Sequence, residues 1–110
     1  MLTSRLQEPS LLVLTALAAG PQHGYGIVKD VEALSQGEMT LRVGTLYGAL
    51  DRLAADGLVE VEREEIVDSR LRRYYRLTDA GAQRLAADAT RVRRQAGIAL
   101  RRLRASGAGA

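Results

Sequence analysis

Hydrophobic residues follow helical spacing through the first half of the chain. A nearly continuous apolar run over 11–19, opened by Pro9 and closed by Gly20, predicts a first helix that is covered on almost all sides. The next apolar face has the three- and four-residue intervals of a helix and consists of Ile27, Val31 and Leu34. We expect this second helix to begin near His23, with a structural or capping role for the His23 side chain, and to end at Gln36.

A third helix is predicted from about Gly44 to Asp56. Leu46, Leu50 and Leu53 recur at intervals of four and three, so they share one inward face. The residues left on the outward face are Thr45, Gly48, Asp51, Arg52 and Ala55. This helix therefore presents a small, polar surface to its surroundings.

Beyond residue 57 the period changes from helical to alternating. Val59 and Val61 share one face of a predicted strand, and glutamates at positions 60 and 62 take the other. A polar stretch that ends in Asp68-Ser69 is expected to make the turn, and the basic run that follows it forms the returning strand. The pattern predicts a hairpin whose tip and outer face are cationic.

The last part of the chain reads as one long helix from Thr78-Asp79, an N-cap followed by an acid, to about residue 105. Apolar residues recur along it at alternating four- and three-residue intervals, as in a heptad seam. The seam consists of Leu85, Ala89, Val92, Ala96, Ala99 and Leu103. Because most of these side chains are small, the seam suits a closely approaching helix of a second copy.

The formal net charge of +3 hides a strong asymmetry along the chain. Residues 1–69 hold five basic and eleven acidic side chains, whereas residues 70–110 hold eleven arginines and two acidic side chains. Arginine forms forked hydrogen bonds to phosphates and base edges, so this clustering suggests a polyanionic partner. A GC-rich coding bias is an alternative explanation for the preference for arginine over lysine. Along the final helix, the arginines also suit a solvated face.

Several classes of function are disfavoured by composition. The chain has no cysteine and a single histidine, so we expect no disulfide, no metal, no cofactor and no enzymatic activity. The longest apolar run is too short to span a membrane, and the first five residues lack the pattern of a secretion signal. We expect a cytoplasmic protein of one domain.

Three motifs in order resemble the PadR family of bacterial transcriptional regulators, in the short subclass with one C-terminal helix. They are His23-Gly24-Tyr25; Gly44-Thr45-Leu46-Tyr47 with Leu50, Arg52-Leu53 and Gly57-Leu58; and Arg73-Tyr74-Tyr75-Arg76-Leu77-Thr78 with Gly81. The resemblance implies a mainly α fold with a small β-hairpin. It divides the chain into a winged helix-turn-helix DNA-binding domain (1–78), a dimerisation helix (79–105) and a flexible tail (106–110).

The resemblance also implies a partner and an assembly. Family members are typically homodimeric repressors that bind a near-palindromic operator in double-stranded DNA and release it on a signal. Their last helix usually packs against the partner's first helix, here through Leu11 and Leu14, and against its own counterpart. Two departures from the family pattern are Arg42-Val43, where Ser-Pro is frequent, and Ser69, where glycine is common in the turn of the wing.

A recognition helix reads bases only through side chains near its N-terminus. The candidates are Arg42, Thr45 and Gly48 for base edges, and Tyr47 and Arg52 for phosphates. Two alternatives stay open: the Tyr47 ring packs on the second helix, and Arg52 pairs with Asp56. In the wing, the candidates for backbone and minor-groove contacts are Arg70, Arg72 and Arg73.

Two further points remain open at the level of sequence. All four tyrosines belong to the DNA-binding part, so an aromatic drug-binding sandwich in the dimer interface is not expected, and the identity of any small-molecule effector is unknown. The acidic first part also permits an alternative function. In that reading the chain is a winged-helix dimer that binds a partner protein instead of DNA.

Overall fold

The computed structural model describes residues 6–107, which form four helices and one antiparallel sheet of three strands. The elements in chain order are α1 (Glu8–Ala18), β1 (Gln22–His23), α2 (Gly24–Leu34), α3 (Val43–Ala55), β2 (Val59–Val67), β3 (Arg70–Leu77) and α4 (Asp79–Ala105). The predicted fold class is confirmed. The first five residues, to which the expectation about a secretion signal applies, and most of the predicted tail lie outside the described residues.

The core is formed where α1, α2 and α3 pack against the base of the sheet. Leu46, Leu50 and Leu53 are buried, which confirms the inward face predicted for α3. On α2, Leu34 was predicted to share an apolar face with Ile27 and Val31, but it is the last residue of the helix and is exposed. Leu14 has no exposed surface and belongs to the core of its own protomer. Its predicted place at a dimer interface is therefore wrong.

The sheet has strand order β1-β3-β2, with β3 in the centre. The turn between β2 and β3 is shorter than the predicted polar stretch, because β2 continues to Val67 and only Asp68 and Ser69 remain in the turn. Both residues have positive φ, 51° and 65°. Two such residues are typical of a type I′ hairpin turn, so Ser69 adopts the conformation for which glycine is preferred. A register shift falls between Val61 and Arg63. The sequence did not predict β1, a two-residue strand that makes the hairpin a three-stranded sheet.

Contacts at the N-terminus of α4 fix this helix against the end of α3. The Thr78 hydroxyl accepts a hydrogen bond from the Gly81 amide (3.0 Å) and donates one to the Gly57 carbonyl (2.6 Å). Gly81 is buried, and a Cβ on it would lie 1.9 Å from the Leu58 carbonyl oxygen. Only a residue without a side chain allows this approach, so Gly81 sets the direction in which α4 leaves the domain.

A buried carboxylate ties the segment before α1 to α4. Asp88 accepts a hydrogen bond from the Leu6 amide (3.1 Å) and lies 3.5 Å from Arg84 and 3.8 Å from Arg91. Beyond this point α4 extends away from the core. A carboxylate with charged and backbone partners stabilises the junction that holds the helix against α1.

The rest of the predicted heptad seam has no cover within its own protomer. Leu85 is half-buried against the core, but Val92 is 44% exposed and Leu103 is 48% exposed. Ala89, Ala96 and Ala99 are exposed as well.

Among the helices of residues 6–107, none has both the length and the apolar character needed to span a membrane.

Candidate nucleic-acid interface

The N-terminal turn of α3 faces outward without a side-chain cap. Arg42 occupies the N-cap position in an extended conformation and makes no capping hydrogen bond. The helix nevertheless begins at once, because the Leu46 amide donates to the Arg42 carbonyl (2.9 Å). Arg42 and Thr45 are both exposed on this turn. Uncapped amides at a helix N-terminus favour an anion, and they lie beside the two side chains proposed to read bases.

Tyr47 packs on the second helix, which was one of the two alternatives considered for it, and keeps part of its surface exposed. A Cβ on Gly24 would lie 2.6 Å from the Tyr47 hydroxyl oxygen, so the ring packs closely on the start of α2. The side chain is nonetheless 42% exposed. In the described part of the chain, Arg52 does not form the ion pair with Asp56 that was considered as an alternative. Its guanidinium lies near Gly48 on the same helix. It stays on the outward face of α3.

A cleft of about 570 Å³ separates the start of α2 and Tyr47 from the hairpin tip. Its walls are formed by His23, Gly24, Tyr25, Tyr47, Val67, Asp68, Arg70, Leu71, Arg72 and Arg73. Four residues proposed from the sequence therefore come together in one place: Tyr47 and the three wing arginines. The other four lie along the exposed side of α3, outside these walls.

Sequence reasoning did not propose Tyr25 as a site residue. Its side chain is 68% exposed at the start of α2, and the Lys29 ammonium lies 5.4 Å from the ring centroid. The available clue was a tyrosine two residues after the predicted N-cap. His23 fills that N-cap, and its Nδ1 accepts a hydrogen bond from the Gly26 amide (3.3 Å), which confirms its predicted capping role.

The surroundings of the His23 imidazole favour its neutral form. Burial lowers the pKa of His23, and the nearby Arg72 guanidinium lowers it further, against an opposing effect of Glu65. A neutral ring is required for the cap, because Nδ1 can accept a hydrogen bond only when it carries no proton. The start of α2 and the hairpin tip are thus electrostatically connected across the cleft.

The outer face of the hairpin is not cationic as predicted. Arg76 pairs with Glu60, and the Arg63 guanidinium lies 2.9 Å from Glu65. The Tyr74 hydroxyl donates to Glu65 (2.7 Å) and lowers the pKa of that carboxyl. The glutamates of β2 lie opposite the arginines of β3 in the strand register, so most of the positive charge is compensated.

Within the hairpin, the arginines that form no ion pair lie at and just after the turn. Arg70 and Arg72 form no ion pair with any residue from 6 to 107, and both line the cleft. Arg73 also lines it, but its Nε donates to Glu64 (2.7 Å), and this hydrogen bond raises the pKa of Arg73 above its ordinary value. Within residues 6–107 the three wing arginines thus divide into two without an ion pair and one with an ion pair. Arg72 nevertheless lies opposite Glu65 in the strand register and contributes to the lowered pKa of that carboxyl.

Comparison with known proteins gives consistent matches. The sequence model of the transcriptional regulator PadR-like family matches residues 13–87. The chain is 40% identical over 78 residues to the transcriptional regulator Rv3488 of Mycobacterium tuberculosis, covering 71% of this chain and 69% of that protein. It is also 40% identical over 93 residues to an uncharacterised transposon TN4556 protein of Streptomyces fradiae, covering 84% of this chain.

The chain spans only 25% of the length of that Streptomyces protein. Among solved structures, it resembles Bacillus subtilis PadR in complex with operator DNA, with a TM-score of 0.66 and 23% identity. That match covers 74% of this chain and 47% of the solved one. At this level of identity the likeness establishes the fold.

Proposed function

This chain belongs to the PadR-like family of transcriptional regulators, and on that premise we propose that it is a homodimeric repressor that binds a near-palindromic DNA operator. A small molecule or stress signal of unknown identity releases it. The observation that most directly supports the proposal is that the outward N-terminus of α3, which has no side-chain cap, lies beside a cleft lined by three arginines, two of which form no ion pair within residues 6–107.

The exposed side of α3 suits the major groove. Arg42 offers a fork to guanine, and Thr45 offers a methyl group to thymine or a hydroxyl to phosphate. Gly48 leaves room for close approach, and Arg52 reaches the backbone from the same face. Base recognition is therefore proposed for the first turn, where the helix enters the groove.

The cleft suits the phosphate backbone beside that groove. Tyr47 and Tyr25 supply hydroxyl groups on one wall, and Arg70 and Arg72 supply positive charge on the other. In the proposed complex a phosphodiester strand lies between α2 and the wing while the tip reaches the next minor groove. Such contacts fix the register of the protein on DNA without selecting a sequence.

Dimerisation supplies specificity that one recognition helix lacks. The exposed seam of α4 offers a closely approaching surface to its counterpart in a second copy, and Leu11 on α1 is half-buried and open to the same partner. The proposed interface thus consists of Leu11, Leu85, Ala89, Val92, Ala96, Ala99 and Leu103. A twofold pair reads two half-sites about 34 Å apart, one helical turn of the duplex.

In vitro selection from a random duplex library tests this proposal. We expect enrichment of sequences that contain two inverted half-sites centred roughly one helical turn apart, because two α3 helices read the groove together. Because the charges on the outer face of the wing are largely compensated, a module that binds a partner protein is the alternative function. A selection that enriches no motif would favour that alternative.

The matched control is Val92→Asp, which places a charge in the centre of the α4 seam. We expect this variant to sediment as a monomer and to enrich at most single half-sites, since an unpaired charge in an apolar helix interface is strongly unfavourable. A variant that is still dimeric in sedimentation would exclude the seam from the interface.

A further inference from the structure

Arg73 lies in the cleft already bound to an acidic side chain of the same hairpin. Its Nε donates to Glu64 Oε2 at 2.7 Å, and Glu64 is its direct cross-strand partner. Together with Tyr47 and Leu71, Arg73 also lines a smaller hollow beside the recognition helix. Glu64 therefore occupies the Nε donor of Arg73, a group that a DNA phosphate in the cleft would compete for.

This ion pair is weak enough to be exchanged. The side chains of Arg73 and Glu64 are 52% and 47% exposed, and ion pairs at this exposure are weak because water screens their attraction. A phosphate held in the cleft by other contacts can displace the carboxylate at little cost. A phosphate that only approaches the wing meets a pair that is already neutral.

Operator DNA places a phosphate firmly in the cleft, whereas random DNA only brings one near the wing. On an operator, α3 seats in the groove and the adjacent backbone is held against the cleft, so Arg73 can change partners. On random DNA the backbone is held mainly by long-range attraction, which scales with the number of uncompensated cations. Glu64 removes one such cation per subunit from this attraction.

We infer that Glu64 is a specificity-determining residue, an internal competitor that reserves Arg73 for DNA fully seated on α3 and lowers affinity for unrelated duplexes. The inference rests on the proposed function. Its mechanism is an exchange of one oxygen anion for another at the Arg73 guanidinium, with no change in fold.

Binding of Glu64→Gln to a selected operator and to a shuffled duplex, measured across a salt series, tests the inference. Glutamine keeps the size of the side chain but removes its charge. We expect affinity for the shuffled duplex to rise roughly threefold to tenfold per dimer, from an exposed pair lost in each subunit. The slope of log K against log salt should steepen by about 0.9 for each phosphate gained, while operator affinity rises less.

Glu60→Gln is the matched control, because Glu60 pairs with Arg76 on the same hairpin but neither residue lines the cleft. This substitution makes the same change in net charge. A fall in the ratio of operator to shuffled affinity for Glu64→Gln alone supports the inference. Equal effects of the two substitutions would overturn it and reduce Glu64 to a contribution to net charge.

The outcome also separates the inference from its premise. If the wild-type protein distinguishes operator from shuffled DNA but Glu64→Gln leaves both affinities and the salt slope unchanged, only the inference fails. If the wild-type protein binds neither duplex, the proposed function fails and the inference fails with it.

Discussion

Replacing Arg70 and Arg72 together by alanine is expected to weaken DNA binding by roughly 100-fold or more. These two side chains line the cleft and have no ion-pair partner in residues 6–107. The proposed dimer would lose four contacts, and at about 0.5–1.5 kcal/mol for each hydrogen bond the total is a few kcal/mol. Because phosphate contacts carry no sequence information, operator and shuffled duplexes should lose affinity equally.

Salt dependence identifies the lost contacts as phosphate contacts. Four fewer phosphates should reduce the slope of log K against log salt by roughly 3–4 in fluorescence anisotropy titrations. The control is Arg94→Ala with Arg101→Ala, two exposed arginines on the side of α4 away from the heptad seam. This control removes the same charge but should change affinity and slope far less. A similar loss in the control would mean that net charge, and not the wing, drives binding.

The recognition helix should respond differently from the wing. Thr45→Ala or Arg42→Ala is expected to change which bases are preferred in the half-site, at about 1–3 kcal/mol for a lost base contact. Equal losses on all sequences from both kinds of substitution would show that the reading residues have been assigned wrongly.

The second large effect is expected from Gly81→Ala. A Cβ at this position would lie 1.9 Å from the Leu58 carbonyl oxygen, which is backbone and cannot turn away. Helix α4 would have to move outward and break the hydrogen bonds from Thr78 to the Gly57 and Leu58 carbonyls. We expect a loss of about 3 kcal/mol in the free energy of unfolding and a fall of more than about 10 °C in Tm.

Gly97→Ala provides the comparison within the same helix. A Cβ on Gly97 would approach only the end of the flexible Arg101 side chain, at 3.2 Å. Alanine is the better helix former, so this variant should be more stable than wild type by up to about 1 kcal/mol. Thermal unfolding by circular dichroism measures both variants. A Gly81→Ala protein as stable as wild type would show that α4 is not held by this contact.

The helices and most of the core could be predicted because their information is local. Leu46, Leu50 and Leu53 identify an inward face from their spacing alone, and the Asp68-Ser69 turn follows from the polar interruption between strands. Leu14 was misassigned because α1 is apolar on most sides. Periodicity cannot tell which side of such a helix faces the core of its own protomer.

The features missed from the sequence depend on partners far apart in the chain. Strand β1 has two residues and exists only because it pairs with β3. The compensation of Arg73 by Glu64 follows from the register of β2 on β3, which the turn and the shift after Val61 determine together. The packing of Tyr47 on Gly24 likewise requires the angle between two helices. Sequence could name the arginines but not distinguish paired from unpaired ones.

Fluorescence anisotropy with the wild-type protein tests the central claim most directly. The protein is titrated into a duplex from upstream of its own gene and into a shuffled duplex of the same composition, at two salt concentrations. We expect the upstream duplex to bind at least about 100-fold more tightly at moderate salt, with the shuffled duplex losing most of its affinity as salt rises. Equal binding of the two duplexes at both salt concentrations would contradict sequence-specific recognition by α3 and the wing.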